Sequence, residues 1–212
     1  MLFIIFSFSK LSLILLYFIL FWFGISFLTL GIAYISLGAK VFGKNKNGKI
    51  SKLSFSLLLP YLLLTWTVWH IQRLISKEDC CNKIVYGIWL GRRPKVNELP
   101  KNINLIVDLT AEFSEPTNLI SGKTYICVPT LDTLVPNKHV FHELIIKIAN
   151  WKGNVYIHCA LGHGRSATVV AGVLIAKGLV NNFEEAEKLL KTARPKIKFS
   201  QAQRKLLNNF QF

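Results

Sequence analysis

From Leu11 to Ala39 the chain carries no charged residue and is overwhelmingly apolar (LSLILLYFILFWFGISFLTLGIAYISLGA). A helix of roughly 20 such residues crosses the hydrocarbon core of a bilayer, so this run spans it with tilt to spare. A secretory signal peptide would have an apolar core of only about 7–15 residues and a small-residue cleavage site. The run is longer, and no convincing site follows it. Membrane attachment is therefore expected. Leu53 to Trp69 (LSFSLLLPYLLLTWTVW) is a second candidate, shorter and interrupted by Pro60, with Trp66 and Trp69 at its end where an aromatic belt would lie. Its alternative is a hydrophobic helix packed against a soluble domain.

Acidic residues divide the chain. All 11 lie at or beyond Glu78, whereas six lysines and Arg73 are the only charges before Ser76. The break marks an expected boundary between a membrane region (1–75) and a second domain (76–212). The membrane region would hold spans at about 11–39 and 53–72 and a lysine-rich loop at 40–52. Two spans make an integral, multi-pass protein whose partner is the phospholipid bilayer. Its sidedness stays open. Lys40, Lys44, Lys46, Lys49 and Lys52 favour a cytoplasmic loop, but Arg73, Lys77, Lys83, Arg92 and Arg93 flank the second span and pull the other way. A nucleophilic cysteine also survives better in a reducing compartment.

The net charge of +15 suits an anionic surface. No nucleic-acid recognition motif accompanies it, so no nucleic-acid partner is expected. Lys188, Lys191, Arg194, Lys196 and Lys198 can meet head groups or simply face water. Cys80, Cys81, Cys127 and Cys159 lack paired CxxC spacing, so neither a zinc site nor a disulfide framework is indicated. Cys80 and Cys81 could carry lipid beside a membrane, although packing or surface thiols are commoner.

Beyond Lys83 the pattern is mixed. Strands are expected at Ile84 to Leu90 with a turn at Gly91, at Ile103 to Leu109, at Thr124 to Val128 closed by Pro129, and at 154–158. Lys138 to Trp151 has helical spacing of Val140, Leu144, Ile145 and Ile148. A helix follows from Ser166 to Lys177. Another starts at Asn182 with Glu185 as its capping-box partner and is bounded by Pro195, and a last one runs from about Ser200 to Phe210. Alternating strands and helices predict an α/β fold with a mostly parallel central sheet flanked by helices.

The chemistry lies in His158-Cys159-Ala160-Leu161-Gly162-His163-Gly164-Arg165-Ser166. It follows a strand and opens a helix, where unpaired amides and the helix dipole favour an anion, including a thiolate. Two glycines let the backbone curl. Cys159 can attack phosphorus as a thiolate, and Arg165 can clamp two phosphoryl oxygens in a fork that lysine cannot reproduce. The amides of Ala160, Leu161, Gly162, His163, Gly164 and Arg165 form an anion nest. Ser166 can donate a hydrogen bond to the departing sulfur. A rhodanese-like sulfur carrier also uses a cysteine loop, but would not need Arg165-Ser166.

The Cys, five residues, Arg, Ser pattern resembles the cysteine-based protein tyrosine phosphatases of the dual-specificity branch, over about 84–210. Within that branch it is similar to phosphatidylglycerophosphate phosphatases and bacterial phosphoinositide-phosphatase-like enzymes. Trp89-Leu90-Gly91, the segments Asp108 to Phe113 and Val128 to Thr133, and Gln203, Leu207 and Phe210 carry that similarity. It implies a protein tyrosine phosphatase-like fold and a metal-independent, cofactor-free phosphoric monoester hydrolase with a phospho-cysteine intermediate. Asp132, in a polar loop between Pro129 and Pro136, is the expected general acid. Asp108 competes, but ends a buried strand and is better read as bonding backbone there. His158 would order the loop rather than act as a base. Glu112 aligns with a loop acid of the lipid-phosphatase relatives, and Gln203 supports the site.

Lipid substrates are favoured by the nearby bilayer, by the basic domain, and by His163, which can add positive charge toward a second phosphate when protonated. Ala160 stands where phosphoinositide enzymes tend to carry Lys, which favours a single-phosphate lipid. A phosphoprotein substrate is the rival, and a phospho-ligand-binding module of little activity the second one.

Overall fold

The computed structural model describes residues 2–209, with side chains from Lys10 onward. Phe210 lies outside the described residues. Helix α1 (Leu2–Ile32) continues into a π-helical turn (Ala33–Leu37) and a 3-10 turn (Gly38–Phe42), and α2 spans Lys52–Ile75. The rest runs β1 (Cys81–Val85), β2 (Ile88–Arg92), β3 (Ile103–Thr110), α3 (Thr117–Ile120), β4 (Thr124–Thr130), α4 (Lys138–Ala149), β5 (Asn154–Cys159), α5 (Arg165–Ala176), α6 (Phe183–Ala193) and α7 (Gln201–Asn208).

The five strands lie in the order β1-β2-β5-β3-β4. Four are parallel, and β1 joins antiparallel, so the sheet is mixed. Ile84 to Leu90 is therefore a hairpin and not one strand. Its turn is at Gly87, where φ is 79° and a glycine is favoured. Gly91, expected at the turn, lies inside β2, where a Cβ would collide with the Cys80 carbonyl and the Tyr156 hydroxyl. Strand β4 runs on through Pro129 because it is an edge strand, where a missing N–H costs no ladder bond.

The central strands β3 and β5 are buried on both faces, as covered parallel strands are. Their alternation sorts the side chains. Leu105, Val107, Leu109, Val155, Ile157 and Cys159 join the core beneath the helices, with Phe141 and Ile145 of α4 and Val169, Val170 and Val173 of α5. Ile106 and Tyr156 belong to a second cluster, and Asp108 and His158 share their side of the sheet. Phe141 takes the place in the core expected of Val140, which is exposed.

Two helices are long and apolar enough to cross a membrane, α1 with its extension and α2. Pro60 cannot donate to the Ser56 carbonyl four residues earlier, and the Trp22 indole of α1 takes that acceptor at 3.0 Å. The Tyr61 amide reaches Ser26 Oγ at 3.4 Å. These contacts advance in the same sense along both helices, so α2 does not return antiparallel to α1 as the second leg of a hairpin would. It lies across the carboxyl ends of the strands, with Leu58 and Leu62 packed among Ala33, Phe42, Ala111 and Leu131. One side of α2 therefore packs against the protein, while only 22% of its apolar stretch is buried. Trp66 and Trp69, expected in an aromatic belt, direct their indoles onto the Glu112 and Ala160 carbonyls.

The connecting loop is fastened to the same module. Lys44 Nζ meets Asp108 Oδ2 at 2.6 Å, both side chains fully buried, and also donates to the Thr110 carbonyl. Lys49 Nζ donates to the Glu115 carbonyl at 2.6 Å. Lys44 and Lys49 thus answer to protein acceptors, which weakens a sidedness argument from loop charge. Burial pushes the Asp108 pKa up, but the Lys44 ammonium outweighs it and holds the carboxyl below its usual range. A carboxylate so lowered contributes stability above its unfolded value near pH 4, and that contribution is lost as pH falls through the folded value. Lys44→Met strands Asp108 as a buried, unpaired charge, so we expect a loss of about 3–5 kcal/mol. Thermal unfolding of the full chain in detergent would read this as a lowered midpoint, and the deficit should narrow as the medium is acidified.

Candidate active site

The carboxyl ends of β3, β4 and β5 bring the sequence-predicted residues together, as expected for a parallel sheet. Glu112 follows β3, Asp132 follows β4, Cys159 ends β5, and Arg165 opens α5.

The loop from Cys159 to Arg165 is shaped from outside. The Ala160 carbonyl accepts from the Trp69 indole (2.8 Å) and the Arg93 amide (3.2 Å). The Leu161 carbonyl accepts from Arg194 Nη2 (3.1 Å) and that of His163 from the Lys198 amide (3.3 Å). In a trans peptide the N–H points opposite to the preceding carbonyl, so carbonyls held outward turn the amides of Leu161, Gly162 and Gly164 inward. The Gly162 amide reaches the Cys159 sulfur at 3.3 Å. Gly162 has φ of 78°, and a Cβ there would collide with the Gly91 backbone, so conformation and space both require glycine. The result is a ring of amides at a helix N-terminus that can hold an anion.

Cys159 is buried, its sulfur 3.2 Å from the Ser166 hydroxyl. Glu112 grips Arg165 through both Nη atoms, at 3.0 and 2.7 Å, and Nη1 also donates to the Thr130 carbonyl at 2.8 Å. Burial alone would lower the arginine pKa and raise the glutamate's. Their mutual charge outweighs it, so Arg165 is held above its ordinary value and Glu112 below. Arg165 Nε is buried and lies 3.2 Å from Asp132 Oδ1, outside hydrogen-bond geometry. That nitrogen, the second N–H of Nη2 and the inward amides are the donors left to face an oxyanion. The Asp132 side chain is 69 % exposed at the rim. Gln203 is buried, caps α7 together with Ser200, and donates to the Leu134 carbonyl at 3.3 Å.

His158 lies on the opposite sheet face from Cys159, stacked on Tyr156 with ring centroids 5.7 Å apart. Neither of its ring nitrogens has a hydrogen-bond partner among the described residues. Asp108 accepts from the Thr110 amide and hydroxyl, from Lys44 and from Tyr125, the backbone-bonding role expected of it. Asp108, Glu115 and His158 offer ligand-type atoms within 4.8 Å of one another. Lys44 and Arg93 already neutralise the two carboxylates, a poor setting for a dication. His163 turns Nε2 onto Glu78 at 2.7 Å. Burial lowers its pKa and Glu78 only partly opposes this, so it is a weak source of charge for a second phosphate.

The cavity at Cys159 measures about 720 Å³. Residues that local pattern did not single out complete it. Tyr34 reaches it from the π-helical turn, its hydroxyl 3.4 Å from the Asp132 carbonyl, while Tyr61, Leu64, Thr65 and Val68 face it from α2. Arg194, read from the sequence as meeting head groups or facing water, does neither: it is buried and bonded to the Asp79 carbonyl, Asn82 and the loop. No local signal marks Arg93, Arg194 or Trp69, since each acts through a carbonyl distant in sequence.

The family model described as dual specificity phosphatase, catalytic domain, matches residues 88–211. Among solved structures, PTPMT1 in complex with PI(5)P is 24% identical over 61% of this chain and 93% of that one, with a TM-score of 0.55. PTPMT1 by itself is 25% identical over 60% and 91%, with a TM-score of 0.54. DUSP15 is 25% identical over 63% and 88%, also with a TM-score of 0.54. Comparison with curated protein sequences finds no match. With a family match over more than half its length, laid on this sheet and this cysteine loop, the chain belongs to the dual specificity phosphatases, cysteine-based hydrolases of phosphoric monoesters.

Proposed function

We propose that this is a membrane-anchored phosphatase acting on a phosphorylated phospholipid head group, such as phosphatidylglycerophosphate or a phosphoinositide. In this reading α1 is the anchor and residues 76–212 carry the catalytic machinery. The observation that carries the chemistry is the loop with its carbonyls tied outward, Cys159 at its base and Arg165 locked by Glu112. The lipid is supported by the cavity's position against α2, one of the two membrane-length apolar helices. It is also supported by a likeness to PTPMT1, whose structure with PI(5)P shares this fold.

Cys159 attacks phosphorus as the thiolate, forming an S–P bond as the P–O bond to the alcohol breaks. The inward amides and Arg165 Nε hold the equatorial oxygens. A phosphoryl oxygen at Nε displaces the Asp132 carboxyl, which gives its proton to the leaving alkoxide. Water then attacks phosphorus and passes a proton to Asp132, and the thiolate departs with a hydrogen bond from Ser166.

In vesicles, the full chain should show at least a tenfold higher kcat/KM for phosphatidylglycerophosphate than for a phosphotyrosine peptide, a margin of about 1.4 kcal/mol. The reverse order would make it a membrane-anchored protein phosphatase. Cys159→Ser should abolish turnover; a variant indistinguishable from a wild type that binds without releasing phosphate would mean a binding module. For Asp132→Asn we expect a loss of about 10²–10⁴-fold on the lipid and a much smaller change with p-nitrophenyl phosphate, whose activated leaving group departs without a proton. Glu112→Gln leaves the buried Arg165 guanidinium without its counter-charge, so we expect a lowered thermal midpoint together with a fall in kcat/KM of roughly 10²-fold as the guanidinium loses its fixed orientation.

A further inference from the structure

One side of α2 makes a wall of the catalytic cavity. Tyr61, Leu64, Thr65, Val68, Trp69 and Gln72 recur at three- and four-residue spacings and all line it. From Tyr61 to Gln72 the wall extends about 16 Å at 1.5 Å per residue, far longer than a phosphoryl group on Cys159 requires. Leu64 and Val68 remain 52% and 43% exposed although they border a site whose other wall is the polar loop. The stripe does not stop at the cavity. Ile71 and Ile75, the next residues on the same side of the helix, are 50% and 75% exposed and carry the apolar surface outward.

We propose that the stripe Leu64-Val68-Ile71-Ile75 is a track for the hydrocarbon chain of the substrate, so that α2 sets specificity for phosphomonoesters of acylated alcohols. This rests on the lipid reading above and names the part of the molecule that would enforce it. The track is uncharged, begins inside the cavity that holds Cys159, and leads along a helix of membrane length. An apolar chain laid on it leaves water while its phosphate reaches the loop. A phosphopeptide, with a polar backbone on both sides of its phosphorylated residue, would leave N–H and C=O groups unpaired against the same surface. Binding energy gathered by a non-reacting chain can align the head group with the nucleophile and so raise kcat as well as lower KM.

The test compares the full chain in detergent micelles on phosphatidylglycerophosphate and on the same glycerol phosphomonoester without acyl chains. Wild type should favour the acylated substrate in kcat/KM. Val68→Asn and Ile71→Asn should each shrink that ratio by about tenfold, equivalent to about 1.4 kcal/mol, whereas Ile71→Leu, which keeps the track apolar, should preserve it. Ratios unchanged in both asparagine variants, or both rates falling together so that the ratio stands, would overturn the track while leaving a lipid-preferring enzyme. If wild type instead prefers a phosphotyrosine peptide to either glycerol substrate, the lipid reading itself fails and takes the track with it.

Discussion

Arg165 opens a helix that is buried along most of its length, and its guanidinium has almost no access to water. A charge so placed is tolerable only with a partner of matching geometry. Glu112 supplies it through two parallel hydrogen bonds, and the Thr130 carbonyl adds a third. These bonds tie the ends of β3 and β4 to the start of α5, the three places from which the site is built. They also decide which donors of the arginine remain: one N–H of Nη2, and Nε, which lies beside Asp132. Removing either charge would leave the other stranded, so the pair organises the fold and the chemistry together.

The amide ring depends on a second constraint, the direction of its peptide planes. Arg93 from the end of β2, Arg194 beyond α6, Lys198 before α7 and Trp69 from α2 each hold a donor to a loop carbonyl. The N-terminal region is therefore part of the active site's structure. Trp66 fixes the Glu112 carbonyl, Tyr34 stands against Asp132, and Lys44 fills a buried counter-charge position beneath the sheet ends. Even the Ser56 carbonyl left without a helical donor by Pro60 is satisfied by a side chain of α1.

Much of the site could be read along the chain because its residues are consecutive. A strand, a cysteine, two glycines, an arginine and a helix within a dozen positions carry their geometry locally, and alternation along β5 puts His158 and Cys159 on opposite faces. Asp132 was legible from its polar loop between Pro129 and Pro136 together with the family pattern, and Glu112 only through the family resemblance. The hairpin at Gly87 was hidden by the continuous apolar run around it, and β4 outlasted Pro129 because only the sheet order makes it an edge strand. Arg194 read as one more surface cation, since its three acceptors come from other parts of the chain.

By itself the sequence determined the α/β pattern, the cysteine loop and the presence of two long apolar helices, each set by periodicity or by neighbours within a few positions. The tertiary structure alone decided where those helices lie relative to the loop. Apolar length states that a segment must leave water, but a bilayer and a protein surface satisfy that demand equally. The Trp66 and Trp69 indoles and the packing of Leu58 and Leu62 fasten one side of α2 to the catalytic module. Each depends on a partner far away in the chain, which no local pattern encodes.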